Sequence, residues 1–164
     1  MTIDQKTYDR RWWVLGVLAI SVFLVVVDNL IVNVALPTLQ SELNATTTSL
    51  QWIVDSYALV FAGLLLAGGG LGDRFGRKGA LLVGLGIILA GALAGASSDS
   101  AGQIVLWRCI MGIGAGLVMP ATLSILTTIF PAHERSRAIA IWAGFAGAGG
   151  ALGTELAAKA PADG

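Results

Sequence analysis

Three ionisable side chains stand inside long apolar runs of this sequence: Asp28, Asp55 and Arg108. A charge in hydrocarbon costs from about 2.5 kcal/mol upward, so such a residue is expected to have a partner and a task. A carboxylate in that setting can take up and release a proton. Low dielectric favours the neutral acid, and a nearby guanidinium favours the anion. Proton carriage is therefore the chemistry open to Asp28, with Arg108 as the group that tunes it. The other reading is a fixed ion pair that only ties two helices together, and spacing alone leaves the two level. For Asp55 the structural reading is favoured, because it lies in the first turns of its run, where an acid suits the helix dipole. Asn29 and Asn33 are four apart and share a helix face next to Asp28. They form a polar stripe that either lines a cavity or bonds to a neighbouring helix.

The elements that must carry these groups are apolar helices. Hydrophobic residues make up 55% of the 164 positions and charged residues only 12%, about half the roughly 25% of soluble proteins. A bilayer core of roughly 30 Å takes about 20 apolar residues in a helix. Five segments reach or approach that length: Trp12–Leu36, Gln51–Leu71, Gly79–Ser98, Gln103–Phe130, and a fifth from Ala138 to about Thr154. The expected fold is all-α, a polytopic membrane bundle over 12–153, with a cytoplasmic N-terminus at 1–11 and a frayed tail at 154–164. Short connections predict antiparallel neighbours. Asp28 lies nine residues before Pro37, roughly 13 Å inside the outer end of its span at 1.5 Å per residue. Arg108 lies five residues into its own span, at roughly 7–8 Å. Its long stem could reach Asp28, and Asp55, at roughly 6 Å, competes for it.

Positive charge sets the expected orientation. Lys6, Arg10 and Arg11 precede the first span, Arg74, Arg77 and Lys78 follow the second, and Arg135 and Arg137 follow the fourth. The intervening connections at 37–50 and 99–102 carry neither Lys nor Arg. The N-terminus and the second and fourth connections are therefore placed in the cytoplasm. Trp12, Trp13, Trp52 and Trp107 sit at span ends, as interfacial anchors do. Glycine occurs 22 times. The pairs Gly91 and Gly95, Gly112 and Gly116, and Gly149 and Gly153 are spaced for close helix approach, although at this density such pairs also arise by chance. Pro120 inside the fourth span is expected to bend it.

Other function classes find little support. Lys and Arg balance Asp and Glu at 10 each, and without a basic run no nucleic-acid partner is implied. His133 is the one histidine and Cys109 the one cysteine. The first reads as a solvated loop residue and the second as packing, so neither a catalytic dyad nor a metal cluster is indicated. Neither G-x-G-x-x-G after a strand nor a phosphate-binding G-x-x-x-x-G-K-[ST] is present. The expectation is a non-enzyme that needs no cofactor.

Three stretches resemble motifs of the major facilitator superfamily, specifically the EmrB/QacA-type 14-span drug:proton antiporters. Gly70-Leu-Gly-Asp-Arg-Phe-Gly-Arg-Lys78 is similar to the loop between the second and third helices. Leu106-Trp-Arg-Cys-Ile-Met-Gly-Ile-Gly-Ala-Gly116 resembles the Arg-containing antiporter motif, and Val27-Asp-Asn-Leu-Ile-Val-Asn-Val-Ala-Leu-Pro37 a first-helix motif. The resemblance implies proton-coupled efflux of amphiphilic compounds across a bacterial inner membrane, with Asp28 carrying the proton and Arg108 tuning it. It further implies a cytoplasmic latch made by Gly72, Asp73, Arg74, Gly76, Arg77 and Lys78. In that latch Asp73 suits a helix N-terminus, Arg77 can fork to a carboxylate or to helix-end carbonyls, and the two glycines allow a tight turn.

Two stretches depart from the family pattern. Leu30 stands where a hydroxyl residue is usual, and Thr154 stands where the fifth-helix motif has proline, followed by Glu155 and Lys159. Five spans amount to a partial N-terminal half of such a transporter, so the chain by itself is expected to be inactive. It would act with further spans or through self-association. An alternative is an inert or regulatory membrane fragment that associates with a full-length transporter.

Overall fold

The computed structural model describes residues 5–159, with side chains described at 8–65, 68–70, 72, 74, 76–148 and 150–151. These residues form five helices: α1 (Gln5–Leu43), α2 (Thr47–Phe75), α3 (Arg77–Ala96), α4 (Ala101–Ile129) and α5 (Ala132–Lys159). Among the described residues, α1 to α4 each hold a stretch long and apolar enough to cross a membrane. The described part of α5 does not reach that threshold. It opens with Glu134, Arg135 and Arg137 and continues mainly in alanine and glycine, which add little apolar surface. Of the tail expected to fray, 154–159 lies within α5 and 160–164 lies outside the described residues.

Helix ends follow local chemistry. Thr46 caps α2, its Oγ1 accepting from the Ser49 N–H at 3.2 Å, and Ser100 does the same for α4 through the Gln103 N–H. The first span was expected to end at Leu36, yet α1 continues through Pro37 to Leu43. Proline costs one hydrogen bond there, and the polar turns beyond it carry the helix past the apolar segment. At 39 residues α1 is about 58 Å long, well beyond a hydrocarbon core of roughly 30 Å. The expected loop at 70–78 is instead a break of one residue. Gly76, at φ +94°, separates α2 from α3, whereas Gly72 is helical and buried. Of these two glycines, only Gly76 occupies a conformation that favours glycine.

Helix α4 is the hub, packed against α2 on one side and α3 on the other, while α1 packs mainly along α5. Glycines explain both faces of α4. A Cβ on Gly112 would lie 2.8 Å from the Tyr57 carbonyl oxygen, and one on Gly116 would lie 3.0 Å from Leu64 Cβ, both on α2. Two residues from each, and so about 200° round the helix, Gly114 meets α3. A Cβ there would lie 2.6 Å from the Gly84 carbonyl oxygen, and a Cβ on Gly84 would lie 2.7 Å from that of Gly114. Gly91 packs against Met111, whereas Gly95 has only an ordinary contact with Trp107. Gly149 and Gly153 lie in α5 outside the residues with described side chains. Pro120 leaves the Gly116 carbonyl without its helical N–H donor. That oxygen points at Gly68 of α2, where only the lack of a side chain leaves room.

At one end of the bundle α1 and α5 are joined side by side. Arg11 Nε donates to Glu134 at 2.8 Å and its Nη2 at 3.2 Å, a two-pronged ion pair. Trp12 meets Phe130 edge-on at 5.3 Å, and Arg137 lies 5.5 Å from the Trp12 ring. Further along, Phe23 and Phe145 meet at 6.5 Å, so the two helices run parallel. The hydrogen bond from Arg11 holds the Glu134 carboxyl below its ordinary value of 4.5. A group held low contributes stability above its unfolded value, and that contribution is lost as pH falls through the lower folded value. Titrating the protein in nanodiscs downward from pH 7 should therefore loosen the α1–α5 end only below about pH 4.5, read as accessibility of a cysteine placed at Ala138. Glu134→Gln should remove most of that pH dependence.

Candidate functional site

Arg108 is 2% exposed and every nitrogen of its guanidinium has a partner. Its Nη1 donates to Asp28 Oδ2 at 2.8 Å, Nη2 to Asn29 Oδ1 at 2.6 Å, and Nε to the Ile53 carbonyl oxygen at 3.2 Å. Its face lies over the Tyr57 ring, 4.2 Å from the centroid. Three helices thus converge on one cation: α1 supplies a carboxylate and an amide, and α2 supplies a carbonyl and an aromatic face one turn apart.

Asp55 is not among these partners, although its depth made it a competitor for Arg108. Ile53 and Tyr57, four apart, face α4, and Asp55 lies about 200° from each around the helix. Asp55 makes no hydrogen bond or ion pair with Arg108 and stands half-buried on another face. The asparagine stripe divides as well. Asn29 reaches Arg108, while exposed Asn33 donates to the Asn29 carbonyl oxygen of its own helix at 3.0 Å. Tyr57 was not among the sequence candidates, because a lone tyrosine in an apolar run reads as packing and nothing in its spacing points to α4.

The Asp28 side chain keeps 21% exposure, and two neighbouring cavities account for it. One, of about 390 Å³, lies between α1 and α3 and is lined by Asp28 with Leu24, Ile31, Leu85, Ile88 and Leu89. The second, of about 310 Å³, takes in Asp28, Arg108, Trp107 and Met111. Both are apolar apart from the ion pair. A third, of about 270 Å³, is bordered by Asn29, Tyr57, Phe61 and Met119. The carboxylate therefore has one oxygen on a buried cation while its side chain borders open space.

The residues expected to form a latch lie elsewhere, at the α2–α3 break. Arg77 donates to the Ser124 carbonyl oxygen at 3.2 Å and to Thr128 Oγ1, both in the last turns of α4. Arg74 and Lys78 are exposed. Asp73 falls in the last turn of α2, and its side chain is outside the description. Among the described residues no group of His, Cys, Asp and Glu is arranged to hold a metal ion.

The puromycin resistance protein pur8 of Streptomyces alboniger is 42% identical over 151 residues, 91% of this chain and 30% of that protein. The multidrug efflux pump LfrA of Mycolicibacterium smegmatis is 44% identical over 150 residues, 90% of this chain and 30% of the pump. The methyl viologen resistance protein SmvA of Salmonella typhimurium is 37% identical over 145 residues, 88% and 29% respectively. The chain thus spans about 30% of the length of the curated relatives it matches. A crystal structure of a bacterial homologue of the human lysosomal transporter Spinster, inward-facing and unoccupied, superposes with a TM-score of 0.75 at 23% identity. It covers 92% of this chain and 31% of that one, and so shares the fold. Residues 18–158 match the Major Facilitator Superfamily, and with the helical bundle and these relatives the chain belongs to that superfamily as a multi-pass membrane protein.

Proposed function

We propose that this chain forms the proton-coupling part of an exporter of amphiphilic small molecules, driven by the proton gradient. The observation that carries the reading is the buried Arg108 bound to the partly exposed Asp28 within apolar surroundings. A pair that served only to tie helices would gain nothing from cavities beside its carboxylate, whereas a proton carrier needs them. The similarity to a puromycin resistance protein, a multidrug efflux pump and a methyl viologen resistance protein supports export of toxic compounds. Apolar cavities beside a carboxylate suit amphiphilic cations. Lys and Arg gather at the α1 start, the α2–α3 break and the α5 start, which supports a cytoplasmic N-terminus in a bacterial inner membrane. The residues around Gly76 would act there as a latch, with Arg77 anchored on α4.

The test joins this chain to the remaining spans of LfrA in place of the matching segment, in cells lacking their own exporters. Efflux of methyl viologen or a fluorescent lipophilic cation is expected, and a protonophore should stop it. Efflux that persists after the gradient collapses would overturn proton coupling. A chimera that inserts in the membrane and exports nothing would overturn the transporter reading.

A further inference from the structure

We infer that Tyr57 is a positioning residue whose ring face, not its hydroxyl, holds Arg108 against Asp28 and so sets the pH at which Asp28 exchanges its proton. The inference rests on the reading of Asp28 as the proton carrier.

The argument begins with the backbone. The Tyr57 carbonyl sits against Gly112, one turn beyond Arg108 on α4, where a Cβ would come within 2.8 Å of it. Glycine there seats α2 directly on α4 and fixes where the Tyr57 side chain starts. The ring is 3% exposed and is stacked on Phe61 at 6.2 Å with a 23° tilt, so it has little freedom to turn. Its face then lies 4.2 Å below the guanidinium.

The phenol oxygen is buried near the Asn29 side chain but forms no well-aligned hydrogen bond. A buried hydroxyl normally finds a partner, so the hydroxyl is not what keeps Tyr57 in place. The ring is. A desolvated guanidinium is attracted to the negative face of an aromatic ring. The cation's in-plane bonds aim it at Asp28, Asn29 and Ile53, and the ring prevents it from tipping out of that plane. Among the described residues no competing charge faces Asp28 from the other packed helices. On the cavity side α3 offers Leu85, Ile88, Leu89 and Ala92, and Asp55 lies on another face of α2.

The experiment uses the 164-residue chain in nanodiscs. Dicyclohexylcarbodiimide reacts with protonated carboxyls in apolar surroundings, and the cavities give it access to Asp28. Labelling at Asp28, read by mass spectrometry against pH, yields a midpoint, with Asp28→Asn as the blank. Tyr57→Phe should reproduce the native midpoint. Trifluorinated phenylalanine at the same position keeps the shape but cancels the negative ring face, and should move the midpoint by about half a pH unit or more. Its isosteric shape avoids loss of folding, and unchanged helicity by circular dichroism verifies this. Equal midpoints for phenylalanine and its fluorinated form would overturn the inference, as would a displaced midpoint in Tyr57→Phe alone, which would assign the role to the hydroxyl. A native chain whose Asp28 labelling does not vary with pH would instead overturn the proton-carrier reading beneath it.

Discussion

In the LfrA chimera, Asp28→Asn should reduce gradient-driven efflux to the level of vesicles lacking the protein. Asparagine preserves the size and the acceptor oxygen toward Arg108 but cannot take up a proton in this range. The substitution also leaves the Arg108 charge without its counter-ion. Breaking a fully buried pair costs about 3–5 kcal/mol, and the 21% exposure of Asp28 brings the expected loss nearer to about 2 kcal/mol. Stability and transport must therefore be separated. Asp28→Asn combined with Arg108→Gln removes both charges and retains polar groups able to bond each other. The double variant should recover most of the lost stability and none of the efflux. A pair that serves only as a helix tie predicts the opposite, with efflux returning once stability does.

The second large effect concerns the contact between α3 and α4. Gly114→Leu should abolish native packing of these helices. Even a Cβ at this position lies 2.6 Å from the Gly84 carbonyl oxygen and 2.8 Å from Ile88 Cγ1, and the first of these is backbone that cannot rotate away. In a bilayer, helices associate through close packing rather than through hydrophobic burial. Forcing the axes apart therefore removes the main attraction. Gly114→Ala alone should cost about 2 kcal/mol, the middle of the range for overpacking. Gly86→Ala and Gly144→Ala are the controls. Nothing lies within 4 Å of a Cβ at either, so they should be neutral or stabilise their helices by up to about 1 kcal/mol. Unfolding in mixed detergent micelles at increasing dodecyl sulfate, followed by tryptophan fluorescence, reads all four. Equal midpoints for Gly114→Ala and Gly86→Ala would contradict the account.

Much of this was legible in the sequence because membrane helices are constrained by length and charge. Runs of about 20 apolar residues located all five helices, and the cost of an intramembrane charge singled out Asp28 and Arg108. What escaped depended on rotation about helix axes. Depth alone left Asp55 and Asp28 as rivals for Arg108. The choice was made by the face of α2 that carries Ile53 and Tyr57, which depth does not encode. Glycine spacing proposed Gly112 with Gly116, and both do face α2. It passed over Gly84 and Gly114, whose closeness arises from where two helices cross. The end of α1 was missed for a related reason: a proline that ends an apolar run need not end the helix.

In the proposed mechanism Asp28 carries the proton that drives export. The most direct measurement places the LfrA chimera in proteoliposomes with a pH-sensitive dye inside and adds a lipophilic cation outside with no imposed gradient. The account predicts that cation movement drives a proton signal of opposite direction in the native chimera and in the Asn29→Ala variant at reduced rate, and none in Asp28→Asn. A proton signal of native size in Asp28→Asn would contradict it.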